Sequence, residues 1–378
     1  MKIICDQVGF AKALNTVAKA ISGNTTLPVL ENILLKAEGS ILTLMATNLE
    51  ISISTYIEVT VEKEGEITLP SKILVSYISL LPSDSPITLE VLDGFTAQIS
   101  TKKSKTKIKG IDAQDFPLIP KVEAKETLAL ERTAFLDAVS SVIFSTATNT
   151  TRPILSGVLF VIEKNRLTLA STDSFRLSEK KLDTPNVEPK ETLKMIVPAK
   201  TLAEVMKIFV KDEAEASFIH IHVGANQVQF EAGETKLISR LIEGVFPDYR
   251  QIIPAEYATF FDVEKEELIN ILKRVNLFAK DNNFQVKLNV EVANGKLTVH
   301  CDGVQSGEEE AVMNVQNASG ENVMVALNST FMLDILGNAK ATTVKMKFAS
   351  SVKPTAFSFV RNKEEDTSYM HLIMPLRS

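Results

Sequence analysis

Two hydrophobic rhythms alternate along the chain. Apolar residues spaced by three and four mark Phe10, Leu14, Val17, Ala18 and Ile21, then Phe135, Ala138, Val139 and Val142, then Leu268, Ile271, Leu272 and Val275. That spacing draws one apolar stripe along a helix and predicts that each helix lies against a sheet. A second helix is expected in each third, after a strand ending in Pro or Asn, at Pro70-Ser-Lys-Ile-Leu, Pro198-Ala-Lys-Thr-Leu and Asn328-Ser-Thr-Phe-Met. Proline at a helix start costs no hydrogen bond, because the first amides have no intrahelical partner. Between the helices, Ile51-Ser-Ile-Ser, Val228-Gln-Phe-Glu and Lys345-Met-Lys-Phe alternate with period two, as half-buried antiparallel strands do.

The order helix, strands, helix, strands is written three times. Thr26-Leu-Pro-Val-Leu30 and Leu42-Thr-Leu-Met-Ala-Thr47 return 125 residues later as Thr151-Arg-Pro-Ile-Leu155 and Leu167-Thr-Leu-Ala-Ser-Thr172. A fainter copy, Leu297-Thr-Val-His-Cys-Asp302, lies 255 residues after the first. Each third closes on a proline-rich exit: Asp115-Phe-Pro-Leu-Ile-Pro120, Phe246-Pro-Asp-Tyr-Arg-Gln-Ile-Ile-Pro254 and Leu372-Ile-Met-Pro-Leu376. Proline neither continues a helix nor donates in a central strand, so these segments read as connectors. The expected architecture is α+β, three tandem domains over 1–122, 123–254 and 255–378, each with two helices packed on antiparallel sheets.

Composition narrows the function more than the fold. A hydrophobic fraction of 45% and a charged fraction of 23% suit a folded chain with large cores. No leader-like segment and no apolar run long enough to span a membrane are visible, and Cys5 and Cys301 are too few for a disulfide framework. A reducing, cytoplasmic setting is expected. The net charge of −6 argues against a surface that coats nucleic acid all round, yet allows basic residues gathered on one face. Corresponding helices carry such residues: Lys12, Lys19 and Lys72, then Lys200 and Lys207, then Lys273 and Arg274.

Enzyme signatures are missing. There is no phosphate-binding glycine loop, no nucleophile elbow and no Cys-x-x-Cys pair. His220 and His222 share a strand face without a visible third ligand, and Asp212 and Glu213 read as a solvated loop. Neither a metal site nor a cofactor is expected.

Four stretches carry a family resemblance: Thr26-Leu-Pro-Val-Leu-Glu-Asn-Ile33, Ser171-Thr-Asp-Ser-Phe-Arg-Leu177, Phe246-Pro-Asp-Tyr-Arg250 and Met374-Pro-Leu-Arg377. In this order, within a chain of three repeats, they resemble the bacterial sliding DNA clamps, the beta subunits of DNA polymerase III. The resemblance implies a head-to-tail homodimeric ring around duplex DNA, with helices lining the hole and no catalysis. It implies partners as well: the polymerase III catalytic subunit, the clamp loader, and other polymerases and repair proteins, all bound through short peptides and none through a membrane. The peptide cleft would be built by Leu155, Thr172, Leu177, Pro247, Ile252, Leu372 and Met374, with Ser174, Phe175 and Arg176 on its rim. Val352 and Pro354 would complete one side, with Pro375 and Leu376 following Met374. DNA would meet Asn24, Thr25, Lys12, Lys72, Asn149, Arg152, Lys200 and Lys207. The dimer seam would join Lys105 and Lys107 to Leu277, Phe278, Glu308, Glu309 and Glu310. Some members have Arg where this chain has Gln251 or Asn24, and an aromatic pair at Pro153-Ile154, so individual contacts are expected to differ. The competing reading is a repetitive protein-interaction scaffold that never encircles DNA, in which the lysines only solvate the surface.

Overall fold

Six α-helices form where the periodicity places them in a computed structural model that describes residues 1–376 apart from 22, 24–25, 149–150, 186, 190 and 211–216. They are α1 (Gln7–Val17), α2 (Ser71–Leu80), α3 (Arg132–Ile143), α4 (Ala199–Phe209), α5 (Lys265–Ala279) and α6 (Ser329–Asn338). Phe10, Leu14 and Val17 of α1 are fully buried, as are Phe135, Ala138, Val139 and Val142 of α3. The stripe extends less far than expected in the first helix. At Ala18–Ala20 the chain tightens into a 3-10 turn, and Ile21 is already extended. The Asp6 side chain starts α1 by accepting the Gly9 amide, 2.7 Å away.

The prolines before α2 and α4 stand one position earlier than a first-turn proline. Pro70 ends the strand Gly65–Pro70, pairs with Asn32 and serves as the helix cap with ψ 116°; Pro198 likewise ends Leu193–Pro198 opposite Gly157. Extended backbone is therefore what the ring supports there. In the third repeat Asn328 does the same work by hydrogen bonding, its side chain accepting the amides of Thr330 and Phe331.

Two compact units emerge, and the middle third of the chain contributes to both. One unit comprises Met1–Thr133 and Lys200–Leu241; the other comprises Ala134–Ala199 and Ile242–Ser378. In the first, an eight-stranded antiparallel sheet runs from Glu126–Glu131 through Phe218–Val223, Gln227–Ala232 and Thr235–Arg240 to Ile51–Glu58, Ile41–Thr47, Asn32–Glu38 and Gly65–Pro70. Strands of two repeats join where Leu237 pairs with Ile53. A five-stranded sheet accompanies it, ending at the edge strand Lys105–Lys109, while α1 packs on α2 through the buried Gln7 amide on the Ile78 carbonyl, 2.7 Å.

The second unit repeats the device. Its large sheet joins the middle repeat to the last where Leu177 pairs with Leu372. A four-stranded sheet, Gly307–Asn314, Lys296–Gly303, Gln285–Glu291 and Val323–Asn328, packs beneath α5 and α6 around Leu268, Leu272, Val275, Leu288, Val299, Ile335 and Leu336. A linear division of the sequence does not reveal this sharing of sheets between repeats.

The 125-residue offset survives at the level of single hydrogen bonds. Leu42 pairs with Ile57, and Leu167 with Leu182. At the turn that follows, Thr47 Oγ1 donates to the Ile51 carbonyl and accepts the Leu49 amide; Thr172 Oγ1 does the same with Arg176 and Ser174. Asn48 Oδ1 accepts the amides of Glu50 and Ile51, and Asp173 Oδ1 those of Phe175 and Arg176. Both turns hold a non-glycine residue at positive φ, Leu49 at 72° and Ser174 at 79°, a strained geometry that the side-chain cage stabilises. The third repeat uses another cage: Asp281 accepts the amides of Val304, Gln305 and Ser306, which holds its carboxyl below the ordinary value.

A second repeated motif prepares the site. Val29, Leu30 and Leu34 close over Phe116 in the first repeat; 125 residues on, Ile154, Leu155 and Leu159 pack with Phe246. The first two proline-rich exits thus each plug an aromatic ring under the 3-10 turn that follows the first helix of the repeat. In the first repeat Met45, Ile111 and Ile119 cover the nest.

Candidate functional site

In the second repeat the corresponding nest opens into a cleft of about 520 Å³. Leu155, Leu177 and Leu372 are buried and form its floor, continuous with a core of Leu159, Ala170, Ile196, Phe246 and Tyr249. They are core and floor at once. Thr172, Ser174, Arg176, Pro247, Ile252 and Met374 complete the predicted part of the wall. The Met374 amide donates to the Phe175 carbonyl at 2.8 Å, so the chain after Ile373 is laid along the turn that ends at Phe175. Ile252 keeps 39% of its surface exposed, an apolar side chain at an open mouth.

Several expected residues stand outside this lining. Phe175 is 61% exposed and supplies backbone rather than wall. Val352 is exposed in a turn, and Pro354 is buried at the entry to the strand Thr355–Arg361, where sheet packing claims it. Pro375 and Leu376 lead away, since the Leu376 amide binds the Ala326 carbonyl. Conversely, Thr151, Pro153, Ile154, Val245, Asp248 and Tyr249 line the cleft and escaped the sequence reading. Arg152, expected at DNA, lines it too, with Nη1 3.1 Å from Ser174 Oγ. Gln251 donates to Asp248 at 2.9 Å and holds that rim carboxylate in place.

Arg176 is a strut rather than a free rim cation. Its guanidinium is only 10% exposed, meets Asp173 Oδ2 at 3.0 Å and Asp334 Oδ2 at 2.5 Å, and lies over the Phe331 ring at 4.5 Å. A planar fork that is paired and stacked locks the floor strand to α6. Beside it, the Tyr249 hydroxyl donates to the buried Glu179 at 2.5 Å, and Lys181 meets the other carboxylate oxygen at 3.1 Å. Burial and the Glu179 charge together push the Tyr249 phenol well above its ordinary value.

Behind the floor lies a buried polar chain. Ser145 Oγ meets Ser178 Oγ at 2.8 Å, and Ser178 Oγ meets His371 Nδ1 at 2.7 Å. Burial, with the Arg176 charge adding to it, lowers the His371 pKa to about 3. The unfolded chain therefore binds a proton here that the folded one refuses, so stability is complete above pH 6.5 and is lost as pH falls toward 3. Unfolding free energy should drop by roughly 2 kcal/mol between pH 7 and pH 5, at about 1.4 kcal/mol per pH unit below the unfolded value. Urea titrations at both pH values check this; the His371→Asn variant should lose most of the difference, and an equal slope in both proteins would refute it.

Basic and acidic residues share a second cavity. A cavity of about 1100 Å³ in the first unit is lined by Lys12 of α1, Lys19 of the following 3-10 turn and Arg132, together with Asp6, Glu58 and Glu234. Lys19 Nζ donates to the Lys207 carbonyl at 3.2 Å, which ties the 3-10 turn after α1 to the end of α4. Lys72, Lys200 and Lys207 are exposed, and Lys207 is paired with Glu204 at 2.8 Å. Asn24, Thr25 and Asn149 lie outside the described residues, as do Asp212 and Glu213. His222 meets Thr127 and Glu231.

Three family models match the chain in tandem: the DNA polymerase III beta subunit N-terminal domain over residues 1–120, the central domain over 129–248 and the C-terminal domain over 250–377. The chain belongs to the DNA polymerase III beta subunit family. Beta sliding clamps of Synechococcus elongatus and Staphylococcus aureus are each 29% identical to it, over 100% and 98% of this chain and 99% and 97% of theirs. Among solved structures, a putative DNA polymerase III beta subunit from Eubacterium rectale superposes with a TM-score of 0.91 at 29% identity, covering both chains completely. The Bacillus subtilis DNA polymerase sliding clamp does so with 0.93 at 25%, covering 100% of this chain and 99% of its own.

This sliding clamp is therefore an accessory processivity factor of DNA replication, without catalytic activity of its own. The absence of a catalytic motif in the sequence accords with that role. Among the described residues, no helix is long and apolar enough to cross a membrane.

Proposed function

We propose that two copies of the chain close head to tail into a ring around duplex DNA, built from clamp domains bounded near residues 122 and 254 and working in the cytoplasm. The observation that carries this reading is a pair of complementary sheet edges. Lys105–Lys109 pairs on one side only among the described residues and carries Lys105, Lys107 and Lys109. Gly307–Asn314 is likewise an edge and carries Glu308, Glu309 and Glu310. An open edge is a template for strand addition, and opposite charge fixes which edge it accepts.

Apolar surface flanks both edges. Tyr77 of α2 is hydrogen-bonded to Ser104 at 2.8 Å, and beside it Ile73 and Leu80 are 59% and 85% exposed. Leu277 and Val304, 73% and 72% exposed, flank the acidic edge, with Phe278 half-buried next to Gly307. Side chains this apolar and this open mark a surface that is covered in an assembly. In solution the protein should have about twice its 41.6 kDa chain mass by light scattering, and Leu277→Asp should return it to one. A single-chain mass for the unaltered protein would contradict the proposal.

Within such a ring, exposed Lys72, Lys200 and Lys207, with Lys12 and Arg152, would hold phosphates by charge without reading bases. Asn24, Thr25 and Asn149 belong to the same proposal. The cleft takes a short peptide from the polymerase III catalytic subunit, the clamp loader, or other polymerases and repair proteins. Leu155, Thr172, Leu177, Pro247, Ile252, Leu372 and Met374 receive its apolar anchors.

A further inference from the structure

We propose that the hairpin of Lys296–Gly303 and Gly307–Asn314 carries a divalent transition-metal site made by His300, Asp302 and Glu308. In an antiparallel pair, residues two apart share a face, and directly opposed residues stand side by side. His300 and Asp302 satisfy the first condition, and the register sets Asp302 opposite Glu308 and His300 opposite Glu310. One nitrogen and two carboxylate oxygens from the trio come within 4.8 Å of one another.

Two features of this face ask for a cation. Asp302 and Glu308 are like charges directly opposed, an arrangement that weakens a strand pair unless something positive lies between them. Lys287 meets Asp302 Oδ2 at 2.9 Å and His300 Nε2 is hydrogen-bonded to Oδ1 at 2.8 Å, so a metal on Nε2 would replace that hydrogen bond and bring its charge beside Glu308. The second feature is on the imidazole itself, whose Nδ1 is buried and makes no hydrogen bond, with Glu310 Oε2 3.9 Å away. A metal on Nε2 would fix the ring with its proton on Nδ1, directed at Glu310, the carboxylate–histidine–metal relay by which such sites orient their ligands.

The donor set selects the ion. One imidazole and two carboxylates suit Zn²⁺ and its neighbours in the first transition row, whereas hard ions such as Mg²⁺ prefer oxygen alone. Metal–ligand bonds of about 2.0–2.1 Å in a tetrahedral site separate ligands by roughly 3.3 Å, so His300 and Asp302 need move apart by about half an ångström. Exposed ends of side chains allow that. Water takes the fourth position, and the metal staples the two strands. All three ligands sit in one hairpin of one chain, but Glu308 also belongs to the acidic edge proposed for the dimer seam, so binding is measured on the single-chain Leu277→Asp form as well as on the unaltered protein.

The test is a calorimetric titration of the metal-stripped full-length chain with ZnCl₂, with Co²⁺ as a spectroscopic probe. One Zn²⁺ per chain is expected, together with a visible Co²⁺ band distinct from that of the aqueous ion. Both His300→Ala and Asp302→Asn should weaken binding by at least about tenfold, the scale on which ligand-shell changes act, while Glu321→Gln, exposed and outside the hairpin, leaves it unchanged. Circular dichroism shows that each variant is folded. No binding, a Co²⁺ spectrum identical to that of the aqueous ion, or Zn²⁺ affinity that survives His300→Ala but is lost in a His220→Ala, His222→Ala variant would overturn the assignment.

Discussion

Ile252→Asp and Met374→Asp should each lower affinity for a polymerase-derived clamp-binding peptide by about a hundredfold, the loss of roughly 2.7 kcal/mol expected of a central anchor contact. The cleft recognises apolar side chains by surrounding them with a floor that is already packed, so little ordering is lost on binding. A carboxylate at either position must be desolvated by the incoming peptide, and the cations among the described lining residues are already engaged, Arg152 with Ser174 and Arg176 with Asp173 and Asp334. Ile252 and Met374 are suited to the test because both reach the surface, whereas Leu177 and Leu372 are fully buried and their replacement would unfold the sheet. Fluorescence anisotropy with a labelled peptide reads the affinity, and urea unfolding verifies that stability changes little. Unchanged affinity in both variants would remove the peptide from this cleft. Removal of the tail from Met374 onward should have the same effect on the peptide while leaving the dimer intact.

Arg176→Met should cost about 3 kcal/mol of stability, at the lower end of what breaking a buried ion pair from one side costs. Asp173 is 15% exposed and accepts two backbone amides, so its place in the turn is fixed and removing the guanidinium leaves it without its ion-pair partner. Asp334 is nearly half exposed and can return to water, which keeps the loss from being larger. Stacking on Phe331 disappears as well. Arg176→Lys should recover only part of the loss, since an ammonium cannot bridge two carboxylates in one plane while covering a ring. The acid sensitivity arising from His371 should also shrink in Arg176→Met, because the Arg176 charge is one of the two causes that hold the His371 pKa down. Urea midpoints within about 1 kcal/mol of the parent would show that the network carries no load.

Much of the fold was legible because the repeat constrains it three times over. The stripes Phe10–Leu14–Val17, Phe135–Val139–Val142 and Leu268–Leu272–Val275 read as helices, and the offset of 125 returns in the strand registers, Leu42 with Ile57 and Leu167 with Leu182. The sharing of sheets was not legible. Whether Thr235–Arg240 extends a sheet of its own repeat or that of its neighbour depends on edge pairing over long range, which period-two alternation does not encode.

The cleft was partly legible for a similar reason. Leu155, Thr172, Leu177, Pro247 and Met374 come together as the family resemblance implies, but Tyr249 and Val245 carry no periodic signal and enter only through the folding of the 246–254 exit. Arg176 lines the cleft as the resemblance implies, but its role as a strut was not legible because its partner Asp334 is 158 residues away. The trio His300, Asp302 and Glu308 went unnoticed because its third member arrives by strand pairing rather than by sequence spacing.

The central claim, that the chain acts by encircling DNA, is tested most directly by topology. Loaded onto a nicked circular duplex by a clamp loader and passed through a gel-filtration column in high salt, the protein should remain with the circle and be lost once a restriction enzyme opens it. Salt screens phosphate contacts but does not unlink a closed ring. Equal loss from circular and linear DNA, or equal retention on both, would contradict encirclement and favour a scaffold that meets DNA only in passing.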